Sequence, residues 1–190
     1  MNLDEYQRKA RDTAIYLNIT NTKILYPALG LIGESGEVAE KIKKLIRDNN
    51  WIMTKDRTEA IELELGDCCW YLANICCDTN YSLKMMYQMR NSYLVHKLRD
   101  LSITQLTFYL NKHTSRIAAI LYDWHYKYKC DPRERIRYIN LTRELTYTIT
   151  CIEEIGKKCG FTLEQICSNN IKKLLTRKLN NKIKGDGDTR

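Results

Sequence analysis

Apolar residues recur at i, i+3, i+4 and i+7 along nearly the whole chain, the period of helices with one buried face. Only 2 Pro and 8 Gly interrupt the 190 residues, so breaks are few and the elements long. The pattern predicts helices over residues 3–17, over 27–48 with Pro27 in the first turn, and over 57–79. Ser82 is placed to cap an amphipathic helix over 82–98 that carries Leu83, Met86, Leu94 and Leu98. After a linker near 100–104 the pattern resumes over 105–129, breaks at Asp131-Pro132, and runs again over 132–159. Gly160 ends that helix and Thr162 caps a last one over 163–182, before the polar tail 185–190. An all-α helical bundle is expected.

Shifting the chain over itself by 79 or 80 residues exposes a faint repeat. Asn80-Tyr81-Ser82-Leu83 falls on Gly160-Phe161-Thr162-Leu163, Glu64-Leu65 on Glu144-Leu145, and Ser35-Gly36-Glu37-Val38-Ala39 on Thr114-Ser115-Arg116-Ile117-Ala118. Identity is low, but the helix order and caps coincide, which points to two fused repeats, 1–100 and 101–190. They would pack about a pseudo-twofold axis as the subunits of a homodimer do.

The formal net charge of +8 becomes informative when divided between those halves. Residues 1–100 carry 14 basic and 14 acidic side chains, and 101–190 carry 17 and 9, so the second half supplies the whole excess and an anionic partner is expected. The 8 cysteines follow no zinc-ligand spacing, and Cys68, Cys69, Cys76 and Cys77 lie in an apolar run, as reduced core thiols do. No run of about 18 apolar residues offers a membrane span, and the first 11 residues are polar and charged rather than a secretory signal. A cytoplasmic protein with no membrane partner is expected.

Acids interrupt two of the apolar stretches. Gly33-Glu34-Ser35-Gly36-Glu37 follows Ala28-Leu29-Gly30-Leu31-Ile32, and Glu64-Leu65-Gly66-Asp67 precedes Cys68-Cys69-Trp70-Tyr71-Leu72-Ala73. Each pair of acids is spaced i, i+3 and shares a helix face. With the helices antiparallel, all four carboxylates can point into one inter-helix space, where cations must offset them. Oxygen-only ligands suit Mg²⁺ or Mn²⁺. A lone ExxE is commonplace on solvated helices; here the apolar flanks favour a site. So do Gly33, Gly36 and Gly66, which cost about 1 kcal/mol each in a helix yet permit close approach.

The stretch from Tyr26 to Lys44, followed by Glu64-Leu65-Gly66-Asp67 and Trp70-Tyr71-Leu72-Ala73-Asn74, resembles MazG-type nucleoside triphosphate pyrophosphohydrolases of the all-α NTP pyrophosphatase superfamily. The closing stretch, with Gly160-Phe161-Thr162-Leu163-Glu164, Asn170-Ile171-Lys172-Lys173-Leu174, Arg177-Lys178 and the tail, also resembles the end of MazG-like chains. The likeness covers roughly residues 1–79 and 159–190, and the stretch between them is the departure. It implies cleavage of a (deoxy)nucleoside triphosphate between its α and β phosphates, with Glu34, Glu37, Glu64 and Asp67 holding Mg²⁺. Glu37, then Glu34, are the candidate proton acceptors, since Gly33 stands where some relatives carry an extra acid.

Lys44, Lys173 and Arg177 are candidate phosphate contacts, because charge-assisted donors suit triphosphate oxygens. Asn170 could bond a base or sugar, Trp70 and Tyr71 could stack on a base, and Asn74 extends their face by a turn. Lys41 and Lys43 are expected to face outward. In the second repeat His113, Arg116, Glu144 and Tyr147 stand at the positions of Glu34, Glu37, Glu64 and Asp67, so one carboxylate of four remains. Arg90 and Tyr93 in turn stand at those of Asn170 and Lys173. The complementary losses predict one composite site, with metal ligands from the first half and nucleotide contacts from the second. The alternative is a module that captures a nucleotide or signalling nucleotide without hydrolysing it. Arg133-Glu134-Arg135-Ile136-Arg137 is the densest basic cluster, but its interleaved Glu134 and the lack of a reading motif speak against nucleic acid. A second copy could associate through exposed helices outside the site.

Overall fold

The computed structural model describes residues 1–19, 23–129 and 135–180, with side chains in the last span described from 139. Among them are eight α-helices and no strand: α1 (Leu3–Asp12), α2 (Leu25–Asn49), α3 (Lys55–Asp78), α4 (Leu83–Gln88), α5 (Ser92–Arg99), α6 (Ile103–Tyr122), α7 (Arg135–Lys158) and α8 (Leu163–Leu179). The caps follow the sequence. Asn2, Ser82 and Asn91 each accept a backbone N–H three residues on, and Ser102 with Gln105 and Thr162 with Gln165 form reciprocal capping boxes.

Three elements depart from the periodicity. The first helix stops at Asp12, where the Thr13 hydroxyl donates to the Ala10 carbonyl and a 3₁₀ turn (Ile15–Asn18) follows. That turn sends Tyr16 inward, fully buried, with its hydroxyl donating to Asp78 Oδ2 at 2.9 Å. The helix expected over 82–98 is split: α4 ends before Met89, and the Asn91 side chain starts α5. The helix expected over 105–129 gives way at Tyr122 to a π turn (Asp123–Lys127). The break at 131–132, most of the 133–137 basic cluster and the 185–190 tail lie outside the described residues.

Helices α2 and α3 form one antiparallel hairpin, and α6 packs on α7 as a second pair. The pairs meet where α2 lies on α6 and α3 on α7. Helix α8 packs on α1 and α3, while α4 and α5 pack on α7. One apolar cluster, from Tyr6 to Ile171, runs through all of them. At the α2–α6 contact the Ser35 and Thr114 hydroxyls are 2.9 Å apart, and Asn111 Nδ2 donates to the Ser35 carbonyl at 3.0 Å. Ser35 and Thr114 are residues that the 79-residue shift superposes. The turns leaving α3 and α7 also match. Asn80 (φ 60°) and Gly160 (φ 87°) take the left-handed conformation, and the next N–H, of Tyr81 and Phe161, returns to Cys76 O at 2.7 Å and Gly156 O at 2.9 Å. All seven described cysteines are free thiols, six of them buried. No described helix is long and apolar enough to cross a membrane.

Candidate active site

Helix α2 carries Glu34 and Glu37 on one stripe, and α3 presents Glu64 and Asp67 to it. A carboxylate oxygen each from Glu34, Glu37 and Glu64 lies within 4.8 Å of the other two. Burial and the neighbouring charges of Asp67, Glu37 and Glu64 push the Glu34 carboxyl up to about 8. Close, partly buried carboxylates produce such a shift, and hard oxygen donors at this spacing fit a divalent ion such as Mg²⁺ or Mn²⁺. Glu64 is 2 % exposed and pairs with Lys41 Nζ at 2.9 Å. Lys41 therefore faces into the site, not outward: it lies four residues after Glu37 and seven after Glu34, on the same stripe. Lys43 does face solvent, paired with Glu40.

Asp67 is engaged from the far end of the chain. Its Oδ1 accepts from Asn170 Nδ2 at 2.8 Å and its Oδ2 meets Lys173 Nζ at 2.5 Å. Asn170 is itself oriented from behind, because the buried Tyr6 hydroxyl donates to its Oδ1 at 3.0 Å. Gly66 makes this approach feasible: a Cβ there would stand 3.0 Å from Asn170 Cβ. Gly30 serves Tyr71 in the same way, since a Cβ would fall within that phenol ring. A Cβ on Gly33 or Gly36 would meet nothing within 4 Å, so these two leave open space beside the carboxylates and support no close contact.

The model of one protein family, the MazG nucleotide pyrophosphohydrolase domain, matches residues 25–98, the segment holding all four acids. The Gene 37 protein of Mycobacterium phage L5 is 34% identical over 109 residues, which make up 55% of this chain and 95% of that protein. The chain belongs to the MazG nucleotide pyrophosphohydrolase family. No solved structure matches it.

Other residues singled out in the MazG segment are placed elsewhere. The Trp70 indole N–H donates to Ala10 O at 3.1 Å and Thr13 Oγ1 at 2.8 Å. Asn74 is fully buried, donates to Trp70 O, and accepts from Arg11, with the Tyr16 hydroxyl oxygen 3.4 Å from its Oδ1. Both side chains thus tie α1 and its 3₁₀ turn to α3 and spend their polar atoms there. Tyr71 stays half-buried, edge-on to Trp70 at 4.9 Å, and burial together with Tyr26 and Glu34 raises its phenol. Lys44 pairs with Glu40 at 3.4 Å, beyond the carboxylate group. Arg177 follows Lys173 by one turn of α8 and is half-buried.

Tyr6 and the pair formed by exposed Asn169 and buried Glu62 (3.3 Å) were not singled out from sequence, and Lys41 was assigned outward. The stripe spacing would have found Lys41; Tyr6 carries no local signal. In the second half His113, Arg116, Glu144 and Tyr147 come together around one carboxylate. Glu144, 1 % exposed, meets His113 Nδ1 at 2.5 Å, Arg143 Nε at 3.0 Å and Arg116 Nη1 at 3.8 Å. The His113 ring stacks on Tyr147 at 4.5 Å.

Proposed function

We propose that the chain hydrolyses a (deoxy)nucleoside triphosphate between the α and β phosphates, releasing monophosphate and pyrophosphate, with Mg²⁺ or Mn²⁺ as cofactor. The observation that carries this reading is the meeting of the α2–α3 carboxylates with Asn170 and Lys173 of α8 at Asp67. Glu34, Glu37, Glu64 and Asp67 would hold the ion, which would neutralise phosphate oxygens and acidify water. Lys173 and Lys41 hold Asp67 and Glu64 as counter-ions. With the carboxylates engaged by the ion, Lys173 is the ammonium placed to turn to a phosphate oxygen, with Arg177 one turn further. Glu37, the exposed member of the triad, takes the proton of the attacking water, and Glu34 is the second choice. Tyr71 offers the ring edge nearest the acids to a base.

The site is composite in a duplicated fold, with a MazG repeat at 1–100 and a degenerate one at 101–190. Supporting this are the Ser35–Thr114 contact, which pairs a residue with its own counterpart as a twofold axis does, and the identical turns at Asn80 and Gly160. The test incubates the chain with ribo- and deoxyribonucleoside triphosphates and Mg²⁺, and quantifies monophosphate and pyrophosphate beside Glu37→Gln and Lys173→Ala. Release of pyrophosphate, lost in both variants, is the expected result. Nucleotide bound without turnover would overturn hydrolysis and leave the capture module.

A further inference from the structure

A cavity walled by residues of both repeats stands at the position pseudo-equivalent to the Asp67–Lys173 bridge of the first site. It has a volume of about 530 Å³ and lies between the α4–α5 junction and α7. Its walls include Met89, Tyr93, Leu94, Ile139, Arg143 and Tyr147. The 80-residue shift places Tyr147 on Asp67 and Tyr93 on Lys173, the pair that forms the salt bridge of the first site. Two tyrosines cannot form that bridge. The helix that runs unbroken as α8 is also interrupted here, and Met89 and Asn91 of the interruption line the opening.

The chemistry of the walls restricts the occupant. They are mainly apolar and aromatic, and Arg143 is the charged side chain among them. The carboxylate behind Arg143, Glu144, is already shared by His113, Arg143 and Arg116, so two guanidinium groups face one acid. A single carboxylate held by cations cannot keep a divalent ion, whereas the surplus positive charge suits an anion. Two phenol rings suit a planar ring system, and the volume falls in the range of small-molecule sites. The buried His113 Nε2, in the ring stacked on the Tyr147 wall, has no hydrogen-bond partner among the described residues, which marks the cluster as incomplete.

We infer that this cavity is a second, metal-independent binding site for a planar organic anion of the nucleoside monophosphate class, with Arg143 on the phosphate and Tyr93 and Tyr147 against the base. The inference does not depend on turnover at the first site. Nucleoside monophosphates of the common bases are titrated calorimetrically into the full chain in EDTA, with inorganic phosphate as a separate probe. At least one should bind, and Lys173→Ala should leave its affinity unchanged, which separates this site from the first. Arg143→Ala should weaken it tenfold or more, and Ile139→Trp, which fills the cavity without altering charge, should abolish it. Absence of metal-free binding, binding untouched by both cavity variants, or inorganic phosphate binding as tightly as the best monophosphate would each overturn the assignment.

Discussion

Two glycines on the acidic hairpin should respond oppositely to the same substitution. Gly36 lies inside α2 with open space where a Cβ would stand, so Gly36→Ala gains helix propensity, about 1 kcal/mol, at no packing cost. Gly66→Ala gains the same propensity in α3 but sets its methyl 3.0 Å from Asn170 Cβ and 3.3 Å from Asn170 Nδ2. Because Asn170 Cβ is fixed to the α8 backbone, it cannot swing away. The helix itself must shift by a few tenths of an ångström, at the roughly 1–3 kcal/mol typical of overpacking. The two variants should therefore differ by about 2 kcal/mol, or roughly 4–8 °C in Tm for a chain of this size. Thermal unfolding followed by circular dichroism reads the difference, with Gly36→Ala above the parent chain. Displaced α8 also loosens the Asn170 and Lys173 contacts to Asp67, so Gly66→Ala should lose at least tenfold in kcat/KM for triphosphate hydrolysis. Equal gains in Tm from both alanines would refute the docking of α8 on Gly66.

Other consequences concern the charges. Burial and like charge raise the Glu34 pKa from 4.5 to about 8, so this group stabilises the metal-free fold below about pH 4.5 and loses that contribution as the pH rises to about 8. The loss should be roughly 2–4 kcal/mol in a denaturant–pH series in EDTA; an unchanged slope in Glu34→Gln would contradict it. For the same reason Mg²⁺ binding near pH 7 should release a proton, seen calorimetrically as a heat that depends on the buffer's ionisation enthalpy. Lys41→Met removes the ammonium beside buried Glu64 and should cost about 1–3 kcal/mol without metal. Mg²⁺ should then raise Tm more in the variant than in the parent, and equal increments would show that Lys41 is not the counter-ion. Tyr6→Phe frees the Asn170 amide to rotate and should lower kcat/KM several-fold while Tm falls by only a few degrees. Unchanged kinetics would remove Tyr6 from the positioning of Asn170.

The helices were legible because their apolar stripes and caps are local properties, as at Ser82 and Thr162. The break between α4 and α5 was not, since Met89 and Arg90 continue the helical composition. There Arg90 leaves the pattern to stack on Tyr87 and to pair with Glu153 of α7, a tertiary choice. The four acids could be read from spacing and apolar flanks, and Asn170 and Lys173 from resemblance and the repeat. Trp70 and Asn74 occupy helical positions adjacent to the acids, yet the turn after α1 brings Thr13 and Tyr16 onto their polar atoms. That claim on them is invisible without the bend at residue 13. Lys41 illustrates the reverse case, in which the stripe arithmetic was sufficient but a lysine invited an outward assignment.

The contact between Asp67 and Lys173 spans 106 residues of chain. At a synthesis rate of about 5–20 residues per second, the acidic hairpin leaves the ribosome some 5–20 s before the helix that completes it. In that interval Lys41 is the cation on the same stripe, and Asp67 has neither of its α8 partners. If the proposed metal dependence holds, the nascent hairpin would bind its divalent ion before α8 arrives, and that ion would act as a folding template that α8 later closes upon.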